Sequence, residues 1–211
     1  MNVDEATRLM REFLHWRKQN NVDHIRQDIV YGGRNTPFKF PKGKLILKLA
    51  PQIVITPHSV DKQGRPLAVE LFNFNPKEVA RLVKLEEYLT WLTYALEFRT
   101  LVMEQMSHEY EQAYLRQHPN PNDRKVGWGI VLMDFTIRDL NGEIITVLYV
   151  FCLIVLGVGW NHLSAEGRAV VGAALKLGLN NYLEFLGRSH MINIPWIFGS
   201  MWYFVKLLLD E

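Results

Sequence analysis

Two carboxylates, Asp134 and Asp139, flank the segment Thr136-Ile137-Arg138 near the end of a predicted apolar strand. A pair of acids at such a place could ligate a metal ion or carry out acid–base catalysis. The sequence has no histidine or third acid at a ligand spacing from this pair. Hydrogen bonding within a loop therefore explains the pair better than catalysis does, and we predict no metal site.

Other motifs that carry chemistry are incomplete or absent from the sequence. Gly157-Val158-Gly159 begins like a dinucleotide-binding turn, but Leu163 stands where that turn needs a small residue. The sequence also contains no phosphate-binding loop, no nucleophile elbow and no Cys or His pair at zinc spacing. We therefore predict that the protein is not an enzyme and has no cofactor.

The composition indicates a globular chain that can bury a sizeable core. The sequence has 211 residues, of which 48% are hydrophobic and 22% are charged, and its formal net charge is +2. Because acids and bases are spread along the length, we predict no nucleic-acid partner. The single Cys152 excludes an internal disulfide, and the polar amino terminus does not resemble a secretory signal, so we predict a cytoplasmic protein.

Several helices have recognisable starts. Asn2 and Glu5 form a capping box before an amphipathic stretch, and Ser164 can cap a helix from Ala165 to about residue 179. Asn75-Pro76 supplies a cap and a first-turn proline for a long apolar-periodic segment that extends to Gln117. A break near Lys84 divides that segment into two predicted helices.

Strand signals alternate with these helices. Residues 53–56 and 67–72 are predicted to form a hairpin, and residues 127–135 a buried central strand. Residues 189–194 form another short strand, which leads into a helix over residues 196–209 that is too apolar for an ordinary wet surface. Such a helix belongs in a core, along an apolar pocket or at a membrane interface.

Residues 144–158 form the most apolar run and carry no charge. A helix of this length, at ~1.5 Å per residue, is shorter than the roughly 20 residues that span a bilayer. A buried strand or helix is the simplest interpretation. A small protein anchored in the membrane by this run is the least favoured alternative.

Four motifs in order resemble the CRAL-TRIO lipid-binding domain of phosphatidylinositol transfer proteins. Asp61-Lys62-Gln63-Gly64-Arg65-Pro66 is similar to the family's D-x-x-GRP hairpin, and Asp139-Leu140-Asn141-Gly142 to its D-L-x-G motif. Asn181-Tyr182-Leu183-Glu184 and Met191-Ile192-Asn193-Ile194-Pro195-Trp196 resemble N-Y-P-E and I-I-N-x-P. The order and approximate spacing match over nearly the whole chain.

The resemblance implies an α/β fold in which a small, mostly parallel sheet floors an apolar lipid cavity. Helices would flank the sheet, and the C-terminal helix would be a gate that opens at a membrane. The implied organisation is a partial N-terminal helical region over residues 1–44, followed by the lipid-binding domain over residues 45–211.

The resemblance also implies residues that contact lipid. Glu184 corresponds to the glutamate of the inositol-phospholipid headgroup site, and Thr136 lies where a strand hydroxyl can face phosphocholine. Tyr94 and Glu97 are implied on a helix that walls the cavity. The implied gate residues are Trp196, Phe198, Met201, Trp202 and Val205.

The chain departs from the family pattern in three ways. Leu183 replaces the usual proline. The chain begins within the family's N-terminal helical region and ends just after the gate, so we expect a fragment or a marginally stable chain. Residues 143–159 are an apparent insert, which is either a natural extension or a retained intron, and sequencing the transcript across residues 141–160 distinguishes the two.

The predicted function is binding of a phospholipid or another lipophilic molecule, with its transfer or presentation between membranes. The predicted partner is a membrane surface, which a cytoplasmic protein would contact transiently. The alternative is a regulatory module that senses lipid or docks a protein without transferring lipid.

Overall fold

A computed structural model of the chain describes eight continuous stretches and two isolated residues. The stretches are 3–50, 67–71, 75–117, 136–138, 144–146, 149–154, 164–182 and 186–192, and the isolated residues are Gly199 and Tyr203.

Helices make up most of the described structure. They are α1 (Val3–Gln19), α2 (Val22–Val30), α3 (Gly43–Leu49), α4 (Pro76–Leu82), α5 (Leu85–Gln117) and α6 (Ala165–Tyr182). A short 3₁₀ helix, Pro37–Lys39, lies between α2 and α3. The predicted helices after Asn2, Asn75 and Ser164 are thus confirmed, whereas α3 was not predicted.

The start of α4 and its separation from α5 follow from local hydrogen bonding. The Asn75 side chain accepts a hydrogen bond from the backbone N–H of Lys77 at 3.2 Å, and Pro76 occupies the first turn. Val83 is extended, which ends α4. Glu87 then accepts from the backbone N–H of Lys84 at 3.1 Å, as the acid of a capping box does. The predicted break near Lys84 is confirmed.

The main apolar core is formed by helices packing on helices. Helix α5 contacts α2 and α6, and α4 contacts α3 and α6. The buried members of the core lie in α2 to α6 or in the short connections between them. They are Ile25, Ile29, Phe40, Ile46, Val79, Val83, Tyr88, Trp91, Leu92, Tyr94, Ala95 and Val170.

Three strands form a parallel sheet in the order β1 (Leu67–Leu71), β4 (Tyr149–Ile154), β5 (Leu186–Ile192). Leu67 pairs with Val150 in the first ladder, and Ile154 pairs with Ile192 in the second. A separate antiparallel pair joins β2 (Thr136–Arg138) to β3 (Ile144–Thr146). The strands make their main contacts with one another.

The predicted CRAL-TRIO-like α/β architecture, with a sheet as the floor of an apolar cavity, is wrong for the body that the structure describes. Among the described residues, the members of the buried apolar cluster lie on α2 to α6 and in their connections rather than on strands. The physical reason lies in the spacing of the apolar residues between Val79 and Met106. At helical period, these residues give each helix an apolar face that a neighbouring helix can bury.

The apolar run 144–158 is extended where the structure describes it, in β3 and β4. Strand β4 therefore places part of the predicted insert between the two outer strands of the sheet. The hairpin partner at residues 53–56 and the predicted strand 127–135 lie outside the described residues. The retained-intron interpretation stays a prediction that the transcript tests.

The described residues include neither a membrane-spanning helix nor a cluster of metal-binding side chains. No helix among them is long and apolar enough to cross a membrane. Within the same part of the chain, no group of three or more His, Cys, Asp or Glu side chains could hold a metal ion.

Alkaline pH should destabilise the helical core through Tyr88. Burial raises the pKa of this phenol from 10.0 to about 12, so the folded state holds its proton more tightly than the unfolded chain does. The contribution of the protonated Tyr88 phenol to the free energy of unfolding is therefore complete below pH 10 and is lost as pH rises to about 12. Two pKa units correspond to about 3 kcal/mol.

Denaturant unfolding of Tyr88→Phe across this pH range measures the effect. The variant should lose less stability than the unsubstituted protein between pH 10 and about 12, because its ring cannot ionise. Equal losses in the two proteins would contradict the assignment to Tyr88.

Candidate functional site

The centre of the candidate site is Glu97, which has 0% of its surface exposed although it is a carboxylate. Arg17 donates to its Oε1 at 3.0 Å, and the Tyr182 hydroxyl donates to the same oxygen at 2.7 Å. Arg26 Nη1 lies 3.5 Å from Oε2. Because an isolated buried charge is costly, these partners are what allow a carboxylate in this interior position.

The two arginines connect Glu97 to the protein surface. Arg17 also donates to Asp23 Oδ1, at 3.1 Å from Nε and 2.6 Å from Nη2. Burial alone would lower the pKa of Arg17, but hydrogen bonds and charges from Asp23 and Glu97 outweigh it and raise that pKa. Arg26 bonds the Thr100 hydroxyl at 3.0 Å and also pairs with Glu104.

Tyr182 brings the end of α6 into the same network. Its side chain is buried and its ring packs edge-on against Trp16, with 5.8 Å between the ring centroids. Burial and the neighbouring Glu97 charge raise the pKa of the Tyr182 phenol, because both disfavour a phenolate there. The hydroxyl therefore remains a donor to Glu97 at neutral pH.

A second polar cluster lies one turn earlier on α5, at Tyr94. The Tyr94 hydroxyl donates to Asp28 Oδ2 at 2.6 Å and accepts from Arg34 Nη1 at 2.9 Å. Arg34 also pairs with Asp28 at 2.9 Å and lies over the Tyr94 ring, 5.7 Å from its centroid. Burial and the bond to Asp28 raise the pKa of Tyr94, whereas Arg34 opposes the shift.

The geometry makes Glu97 an anchor for four helices. Its carboxylate contacts groups from α1, α2 and α6 while it is carried on α5. Both carboxylate oxygens already accept from protein donors. The arrangement therefore holds helices together, and Tyr94 adds a further tie from α5 to α2 and its following connection.

The described structure reaches only some of the predicted site residues. Tyr94 and Glu97 lie one turn apart on α5 and both contact the first two helices or their connection. Thr136 begins β2, where its backbone pairs opposite Thr146. Glu184 and the predicted gate residues lie outside the described residues. Those gate residues are Trp196, Phe198, Met201, Trp202 and Val205.

Sequence reasoning missed Arg17, Arg26 and Asp28 as partners of this site. Arg17 lies in the last turn of α1, where a basic side chain is favourable without any buried partner. Neither arginine has a sequence signal that distinguishes a buried partner from a solvated one. Tyr182 was noted within the Asn181–Glu184 motif, but its contact with Glu97 spans 85 positions of the chain and no local pattern predicts it.

Comparison with known proteins relates the chain to Sec14 cytosolic factors and to phosphatidylinositol/phosphatidylcholine transfer proteins. It is 25% identical to the Sec14 cytosolic factor of Schizosaccharomyces pombe over 211 residues, which is 100% of this chain and 58% of that protein. The chain is also 30% identical to the phosphatidylinositol/phosphatidylcholine transfer protein SFH13 of Arabidopsis thaliana. That match covers 100% of this chain and 27% of SFH13. The SEC14 cytosolic factor of Kluyveromyces lactis is 27% identical, over 98% of this chain and 54% of that protein.

The similarity to these relatives runs through all the elements that meet at Glu97. The chain is similar over its whole length to Sec14-like proteins, and this similarity supports the predicted CRAL-TRIO resemblance. No protein-family model matches the sequence. The chain spans between about a quarter and three fifths of the length of the three relatives named above.

Proposed function

We propose that the protein binds a phospholipid and transfers it between membranes. The observation that carries the proposal is similarity over the whole chain to proteins named as phosphatidylinositol/phosphatidylcholine transfer proteins. The relatives that are named are transfer proteins or cytosolic factors, which supports a non-enzymatic role and a cytoplasmic location. Transient contact with the membrane surface is part of the proposal, because transfer requires the lipid to leave one bilayer and enter another.

Specific residues take separate parts in the proposed function. Glu184 contacts the inositol headgroup and Thr136 the phosphocholine group, while apolar side chains hold the acyl chains in a cavity. For Tyr94 and Glu97 the proposed part is to fix the helices beside the lipid, because their polar atoms are already hydrogen-bonded to protein groups. The C-terminal apolar segment opens the site at a membrane. Its proposed gate residues are Trp196, Phe198, Met201, Trp202 and Val205.

A vesicle-to-vesicle assay with labelled phosphatidylinositol and phosphatidylcholine tests this function. The protein should accelerate movement of at least one of the two lipids over the rate without protein. Glu184→Ala should slow phosphatidylinositol transfer roughly tenfold or more, since one hydrogen bond to a charged group contributes about 1.5–3 kcal/mol. Phosphatidylcholine transfer by this variant should remain.

Glu109→Ala is a matched control, because it removes an exposed glutamate whose contact is with Gln105 on the same helix. It should transfer both lipids at the unsubstituted rate. Lipid that co-purifies with the protein, identified by mass spectrometry, gives an independent measure of binding. Bound lipid without any transfer would favour the lipid-sensing alternative. If the protein neither binds nor transfers lipid, both functions are excluded.

A further inference from the structure

Residues 29–60 form the longest stretch of the sequence without an acidic residue. They include five basic residues and no Asp or Glu, although the whole sequence has 24 basic and 22 acidic residues. Four of the five are lysines in or beside the 3₁₀ helix and α3. They are Lys39, Lys42, Lys44 and Lys48. We define these lysines together with Phe38 as the basic surface.

The backbone brings the basic surface together. Lys42 has a left-handed conformation, with φ at 58°, and turns the chain from the 3₁₀ helix into α3. A Cβ on Gly43 would lie 2.1 Å from the Pro37 carbonyl oxygen and 3.1 Å from that of Phe38. Only glycine permits this close approach, which holds the exposed Phe38 against the start of α3.

The lysines point away from the core that α3 helps to form. Ile46 on α3 is fully buried, whereas Lys44 and Lys48 are exposed and, four residues apart, share one face of the helix. Lys39 contacts the Asn35 amide oxygen at 2.9 Å. Lys42 is partly neutralised, since its Nζ lies 3.4 Å from Glu87 Oε1.

Exposed aromatic side chains accompany this charge. Phe38 is 62% exposed, and Tyr31 in the connection that precedes it is 86% exposed. Lysines attract anionic headgroups, and aromatic rings favour the boundary between headgroups and acyl chains. A bilayer surface accepts both features at once. The chain's balanced overall charge of +2 provides no broad field for a long nucleic acid.

We propose that the basic surface docks on membranes that contain anionic phospholipids. This inference rests on the proposed lipid-transfer function and adds a second membrane contact, separate from the C-terminal segment that would release the lipid. The surface would hold the protein at negatively charged bilayers, so it would select the membranes among which lipid is moved.

Sedimentation with phosphatidylcholine vesicles, with and without phosphatidylserine, tests the proposal. The protein should bind the phosphatidylserine vesicles more tightly, and this preference should fall with salt as the Debye length shrinks from about 10 Å at 0.1 M. Lys44→Gln/Lys48→Gln should weaken that binding by about fivefold per lysine, on the order of 25-fold for the pair. Phe38→Ala should weaken it several-fold.

Matched variants separate the surface from general charge and hydrophobicity. Lys18→Gln/Lys176→Gln removes the same net charge at exposed positions on α1 and α6, and Leu14→Ala removes an exposed apolar side chain from α1. Both controls should bind phosphatidylserine vesicles as the unsubstituted protein does.

The docking surface would be overturned if Lys44→Gln/Lys48→Gln bound phosphatidylserine vesicles as tightly as the unsubstituted protein. An equal loss of binding in Lys18→Gln/Lys176→Gln would also overturn it. Binding of single-stranded RNA but not phosphatidylserine vesicles would also overturn it. Transfer between neutral phosphatidylcholine vesicles measures the proposed function independently. If transfer is absent while vesicle binding depends on Lys44 and Lys48, the proposed function fails and the docking surface stands.

Discussion

Replacing Glu97 with alanine is expected to lower the free energy of unfolding by about 3–5 kcal/mol, the usual cost of removing one partner from a buried charge network. Glu97 is fully buried, and Arg17 is only 9% exposed. Without the carboxylate, Arg17 and Tyr182 each lose a hydrogen-bond acceptor, and water does not readily replace it because the site is buried. Urea unfolding followed by far-UV circular dichroism measures the loss.

Two further variants separate the network from a general effect of removing a side chain. Tyr182→Phe removes a single donor to the Glu97 carboxylate and should cost about 1.5–3 kcal/mol, less than the loss of the carboxylate itself. Glu12→Ala breaks an exposed ion pair with Arg8 and should cost about 0.3–0.5 kcal/mol. A Glu97→Ala variant as stable as Glu12→Ala would show that the buried carboxylate does not anchor the helices.

The Glu97 network also shows where sequence reasoning stops. Tyr94 and Glu97 were assigned to the wall of a lipid site from family resemblance, and their place in that site stays a prediction. Their partners come from three helices and the connection after α2, at positions 60 to 85 residues away. Which buried arginine meets which buried carboxylate depends on helix packing, which no local pattern encodes.

Helix starts were predictable because their physical causes are local. Asn75 and Ser164 each accept a hydrogen bond from a backbone N–H two or three residues later, as their sequence context predicts. The apolar period after Val79 likewise predicts a helical face. Helix α3 was missed because Gly43 and two nearby prolines indicate an irregular connection, yet burial of Ile46 stabilises a short helix there.

The overall architecture was less predictable than its parts. Family resemblance implied a body resting on a sheet, whereas the described core is packed from helices. The spacing of apolar residues along the sequence cannot show whether an apolar helix face packs against a sheet or against another helix, since both bury the same side chains. The motifs were nevertheless sufficient to predict the family, because their order along the chain does not depend on how the core packs.

Replacing Trp91 with alanine should lower the free energy of unfolding by about 3–5 kcal/mol, because it leaves a large cavity in the helical core. Trp91 is 1% exposed, stacks on Tyr88 with 6.3 Å between ring centroids, and donates to the Pro37 carbonyl oxygen at 3.4 Å. Its loss therefore loosens α5 from the 3₁₀ helix as well. Phe38→Ala is the matched control, since it removes an exposed aromatic ring beside Pro37 and should change stability by less than about 0.5 kcal/mol. Urea midpoints that fall equally in the two variants would contradict a core role for Trp91.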